Sequence, residues 1–67
     1  MTVRLTREGP GAYNVTVAGR RYWISRYSAT TPLWDVDVED AVTGDHLGSF
    51  EERTLAGVRS TIALGIY

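Results

Sequence analysis

Apolar and polar residues alternate with period two through most of this chain, and the pattern takes on the period of a helix only in its last third. Two stretches carry the alternation most clearly: Arg21-Tyr22-Trp23-Ile24-Ser25-Arg26-Tyr27 and Trp34-Asp35-Val36-Asp37-Val38-Glu39. Such alternation predicts strands with one buried and one open face. Earlier in the chain, Thr2–Thr6 reads as a short strand with Val3 and Leu5 on one face. Glu8-Gly9-Pro10-Gly11 is a turn cluster, and Ala12–Val17 alternates again with Tyr13, Val15 and Val17 on one side. Ala18-Gly19 is a two-residue hairpin turn. After Arg20–Tyr27 comes a polar loop, Ser28–Pro32, and then the strand Leu33–Glu39. Asp40 to Gly44 predicts a type I turn closed by a left-handed glycine, and Asp45–Ser49 a short final strand.

Beyond that point Leu55, Val58 and Ile62 fall at the spacing of one helix face. Ser49 and Glu52 match a capping box, which would start the helix at Phe50. Thr54 is the rival N-cap and gives a shorter helix. Gly65 suits the position after the last turn. Gly57 costs about 1 kcal/mol relative to alanine inside a helix, so its presence predicts a close approach to a strand.

The registers that these turns impose agree with each other. The Ala18-Gly19 turn sets Val15 opposite Tyr22 and Tyr13 opposite Ile24. A loop centred on Thr30 sets Ile24 opposite Val36, Tyr22 opposite Val38, Arg21 opposite Glu39, Trp23 opposite Asp37 and Ser25 opposite Asp35. A one-residue slip would turn every side chain to the wrong face, so this agreement is evidence for the fold. The expected core face is Tyr13, Val15, Val17, Tyr22, Ile24, Trp34, Val36, Val38 and Leu47, covered by Leu55, Val58 and Ile62, with Phe50 at the hinge. Arg26 joins that face opposite Trp34, its stem over the indole. The expected fold is α+β: an antiparallel sheet of four or five strands with one C-terminal helix packed on one face. Residues 1–67 form a single domain.

One helix covers one face. The opposite face carries Asn14, Thr16, Arg21, Trp23, Ser25, Tyr27, Asp35, Asp37 and Glu39, with Arg21 and Glu39 as an expected cross-strand ion pair. Tryptophan and arginine dominate interface hot spots, so this face is the candidate binding surface.

Composition narrows the partner. Sixty-seven residues support one modest core. Cysteine is absent, which removes disulfide, zinc-thiolate and thiol-nucleophile chemistry and fits a reducing compartment. No apolar run reaches membrane-span length and no signal-peptide core is evident, so a cytoplasmic location is expected. A formal net charge of −1 gives no global attraction to nucleic acid or anionic lipid. All seven basic residues are arginine, a bias that GC-rich coding produces and that bidentate contacts would also use.

Catalytic chemistry is sparse. His46 is the only histidine, so one chain cannot build a multi-histidine metal site. Asp45 and His46 are neighbours and point to opposite faces of a strand. Asp35 and Asp37 share a face, but no loop supplies the further oxygens calcium needs. No nucleophile elbow or P-loop is present. No enzyme activity, cofactor, metal or small-molecule substrate is expected.

The stretch Trp34-x-Val36-x-Val38-x-Asp40-x-x-x-Gly44-x-x-Leu47-Gly48-Ser49-Phe50, followed by Leu55, Ala56 and Val58, resembles the plant ethylene-response DNA-binding domain. It is also similar to the three-strand-plus-helix arm-binding domains of phage integrases. That resemblance implies a sheet face entering the DNA major groove, with Arg21, Trp23 and Arg26 in contact. Asp35, Asp37 and Glu39 stand where the family presents cationic or neutral groups, and carboxylates repel phosphates. The small, arginine-only chain also resembles accessory proteins of bacteriophages infecting GC-rich bacteria, and such an origin would place it in the bacterial host cytoplasm. The expected function is therefore that of a non-enzymatic interaction module. It would bind a protein partner, or a second copy to form a homodimer, through the open sheet face or a strand edge. Sheet-mediated DNA binding is the alternative.

Overall fold

A computed structural model describes residues 3–26 and 33–65. Five strands run β1 (Thr6–Gly9), β2 (Ala12–Val17), β3 (Arg20–Arg26), β4 (Trp34–Asp40) and β5 (His46–Glu52), followed by helix α1 (Leu55–Leu64). Each strand pairs antiparallel with the next, so the sheet is a meander in the order β1-β2-β3-β4-β5. The α+β architecture read from the sequence is the architecture observed.

The central registers are those the turns impose. Val15 pairs with Tyr22, Tyr13 with Ile24, and Ile24 in turn with Val36. Ala18 and Gly19 both hold positive φ, 52° and 78°, as a type I′ turn requires. The Asp40 carboxylate closes the β4–β5 turn by accepting the Val42 and Thr43 N–H groups at 2.8 and 2.9 Å. Gly44, with φ 79°, donates back to the Asp40 carbonyl at 2.9 Å. These N–H groups, Thr43 first and Val42 second, lower the Asp40 pKa, and Arg20 adds a smaller attraction.

The core joins Tyr22, Ile24, Val36 and Val38 from the sheet to Val58 and Ile62 from α1 and to Val3. Ile24, Val36, Val38 and Val58 are fully buried. Burying each such side chain contributes about 1.5–3 kcal/mol. Tyr13, Val15, Val17, Trp34, Phe50 and Leu55 pack at its margin. Arg26 pairs with Trp34, and its guanidinium lies 5.9 Å from the indole centroid, while Tyr13 meets Trp34 edge-on at 5.8 Å.

Four expectations are corrected. The first strand is Thr6–Gly9 and not Thr2–Thr6. Pro10 and Gly11 (φ 70°) form a tight turn directly after Gly9, so pairing with β2 is set from Gly9 backwards. Val3 and Leu5 leave the ladder and pack into the core instead. The final strand is longer than Asp45–Ser49 and contains Phe50, which pairs with Val36 in mid-strand and is no hinge. The Ser49–Glu52 capping box does not form, because both residues stay in the β5 ladder. Thr54 is the N-cap, in extended conformation (φ −135°, ψ 155°), and its hydroxyl accepts the Gly57 N–H at 2.9 Å. Leu47 leaves the core face: β5 bulges between the pairs Val38–Gly48 and Glu39–His46, and Leu47 is 48% exposed.

Gly65, at φ 70°, ends the helix by donating to the Ile62 carbonyl at 3.1 Å. Gly57 does allow a close approach: a Cβ there would stand 3.0 Å from the Glu52 Oε2. Glu52 in turn accepts the Thr61 hydroxyl at 2.7 Å and ties α1 to the end of β5. Among the described residues no helix is long and apolar enough to cross a membrane.

Candidate functional site

The helix packs against β4 and β5 on the core side, and the chain's described residues put no element on the other side. The open face is built in three steps. The period of two sends Arg21, Trp23 and Ser25 outward because Tyr22 and Ile24 are drawn in. The same alternation sends Asp35, Asp37 and Glu39 outward around Val36 and Val38. The register then sets Arg21 opposite Glu39, Trp23 opposite Asp37 and Ser25 opposite Asp35. Tyr27 lies outside the described residues.

Trp23 is the centre of this face. It is 37% exposed, and its indole N–H donates to the Glu39 carboxylate at 2.7 Å. That carboxylate is the diagonal neighbour, two residue pairs along the ladder and the next on the same face. The Arg21 guanidinium stands 5.6 Å from the ring centroid. The expected Arg21–Glu39 ion pair is thus replaced by a three-part stack: carboxylate on the indole edge, guanidinium over the indole face. The geometry follows the ring quadrupole, whose edge is positive and whose face is negative. A carboxylate on the N–H pushes electron density into the ring, which strengthens its attraction for the cation above. The result is an aromatic platform fixed in orientation before any partner arrives.

Strand β5 adds residues that sequence reasoning did not place here. Ser49 pairs with Asp37, and Glu51 pairs with Asp35. At the bulge, His46 and Leu47 together oppose Glu39, and a bulge turns both side chains toward the same side. The His46 Nε2 stands 3.9 Å from the Asp37 carboxylate, with both side chains well exposed. That contact is loose and contributes little. The signal that could have found Glu51 and Leu47 is the parity of Phe50: if Phe50 faces the core, Ser49, Glu51 and Leu47 face out.

The charge of the face is acidic. Across β2 to β5 it carries Arg21 against Asp35, Asp37, Glu39 and Glu51. Comparison with protein-family models, with curated proteins and with solved structures gives no match.

Proposed function

We propose that this protein is a non-enzymatic interaction module that docks a protein partner on the open face of its sheet, with Trp23 as the anchor. The observation that carries this reading is the exposed indole of Trp23, hydrogen-bonded to Glu39 and stacked by Arg21 on a face that no described element covers. Rigid aromatics flanked by arginine dominate binding energy at protein interfaces, because ordering them on binding costs little further entropy.

The face is favoured over the edges as the contact. Both edge strands carry a register break, between Arg7 and Gly9 in β1 and at Leu47 in β5. Bulges and short strands blunt an edge against pairing with another chain. DNA is the less favoured ligand, since four carboxylates surround the one arginine of the face and phosphate contacts need net cationic charge.

The test is site-specific. A photo-cross-linking side chain in place of Ser25, beside Trp23, should capture a discrete partner in extracts of the source cells, and Trp23→Ala should abolish capture. The same group at Arg59, exposed on α1, should capture nothing discrete. Equal capture at both positions, or capture indifferent to Trp23, would refute the reading. A gel-shift titration at low salt checks the alternative: a DNA shift at micromolar protein that Arg21→Ala removes would favour nucleic acid.

A further inference from the structure

The docking face holds an electrostatic conflict that the fold does not need. Asp35 on β4 lies directly opposite Glu51 on β5, on the open side of the sheet. Like charges facing each other across an antiparallel ladder destabilise it. Among the described residues no cation reaches ion-pair distance of either carboxylate; the side-chain contact of a basic group with a carboxylate on this face is the loose one of His46 with Asp37, at 3.9 Å. Arg21 is committed to the indole at the other end, opposite Glu39.

Taking the docking reading as its premise, we infer that the occupant of this face is a cationic segment of a partner protein, one that sets an arginine or lysine between Asp35 and Glu51 and lies against Trp23. The charge distribution of the whole chain supports this choice. Across β2 to β5 the face carries one guanidinium against four carboxylates, a net −3 in a chain whose formal net charge is −1. The face is thus more acidic than the chain as a whole. Two such faces stacked on each other would repel, so a second copy placed face to face is the wrong occupant. The indole shows the preferred chemistry within the molecule itself, because the group already seated on it is a guanidinium.

The experiment uses three short extended peptides of equal length as probes: one alternating arginine and serine, one alternating glutamate and serine, and one alternating valine and serine. Amide and indole NMR resonances of the intact protein report where each binds. The cationic probe should shift the Trp23 indole N–H and the amides of Asp35 and Glu51. Its affinity should fall with added salt and weaken about two- to fivefold in Glu51→Gln. The same variant, freed of the Asp35–Glu51 repulsion, should unfold at a higher urea concentration than wild type, so lost binding cannot be ascribed to a damaged fold. If the valine or glutamate peptide seats on the face and the arginine peptide does not, the cationic assignment is overturned while the docking reading stands. If the arginine peptide shifts only acidic residues off the face, such as Asp40 and Asp45, or if no probe binds, the assignment is also overturned, and the cross-linking result alone then judges the docking face. Shifts on this face that grow with protein concentration and no probe would overturn it in favour of a second copy.

Discussion

Gly57→Ala sets two physical effects against each other in a way that measurement can decide. Position 57 lies inside α1, where alanine gains about 1 kcal/mol over glycine from backbone entropy alone. The new methyl would stand 3.0 Å from the Glu52 Oε2 and 3.3 Å from the Thr54 Oγ1. Both distances are short for a Cβ, so the neighbours must move. A glutamate tip would normally swing away at little cost. Here it is tied, because the Glu52 carboxylate accepts the Thr61 hydroxyl at 2.7 Å. Thr54 is tied as well, since its hydroxyl caps the helix on the Gly57 N–H itself. Losing the Glu52–Thr61 bond costs about 0.5–1.5 kcal/mol. Weakening the cap costs up to about 1 kcal/mol more. At mid-range the losses come to about 1.5 kcal/mol and outweigh the gain, so Gly57→Ala should destabilise the protein by about 0.5 kcal/mol. In a Glu52→Ala background the main obstacle is gone, and the same substitution should become neutral or stabilising. Urea unfolding of the four proteins in this cycle, followed by tryptophan fluorescence and far-UV circular dichroism, gives the coupling directly. A Gly57→Ala variant that is stabilised by about 1 kcal/mol in the wild-type background would refute the argument, since propensity alone would then account for the site.

Val36→Ala removes two buried carbons from a fully buried position and should cost about 2–3 kcal/mol; a domain of this size holds only about 3–10 kcal/mol in all, so the urea midpoint should drop steeply, while Val42→Ala, at a site 90% exposed, should stay within about 0.5 kcal/mol of wild type. Asp40 has its pKa lowered in the folded state by the Thr43 and Val42 N–H groups. Its stabilisation is therefore present above the ordinary carboxylate value of 3.8 and is lost as pH falls through the lower folded value. The Val42 and Thr43 amide resonances should titrate with that lowered midpoint, and Asp40→Asn should remove the titration; an ordinary carboxylate midpoint would refute the turn geometry. Glu39→Ala should release the Trp23 indole, shifting its N–H resonance and speeding its hydrogen exchange, with a stability change under about 1 kcal/mol because the contact is exposed. An indole resonance that does not move would show that Glu39 is not its partner.

The central hairpins were legible in the sequence because short turns leave no choice of register. Once Ala18-Gly19 is a two-residue turn, Val15 must meet Tyr22, and alternation then decides every face from Tyr13 to Ile24. The two ends of the sheet were not legible, for one shared reason: each contains a register break. Alternation predicts faces only while the count of residues stays equal on both strands. The bulge at Leu47 adds one residue, so a leucine that reads as core emerges on the open side. The helix start was hidden by a competition between two sound signals. Ser49 and Glu52 have capping-box spacing, but Phe50 earns more by pairing with Val36 in the core than by opening a helix. The Trp23–Glu39 contact was missed because it runs diagonally: the register puts Asp37 opposite Trp23, and the indole N–H reaches past it.

The composition of the open face can be weighed against what folding alone requires. A solvent-facing sheet surface needs only polar residues, and threonine or arginine would serve it better than aspartate, which is depleted in strands. Strand β4 nevertheless carries aspartate at 35 and 37, on either side of the fully buried Val36, in the interior of the sheet where both residues pair with both neighbouring strands. It then sets Asp35 against Glu51, an arrangement that weakens the ladder twice, through propensity and through repulsion. On the same face Thr16 stands opposite Arg21 without such a conflict. A local rule broken without gain to the fold marks a place where a sequence answers to something other than stability. Here that departure lies beside Trp23, an exposed aromatic held by Glu39. A cation lodged between Asp35 and Glu51 would turn the repulsion into a bridge, so the electrostatic weakness of the free protein and the affinity of the docked one would have the same cause.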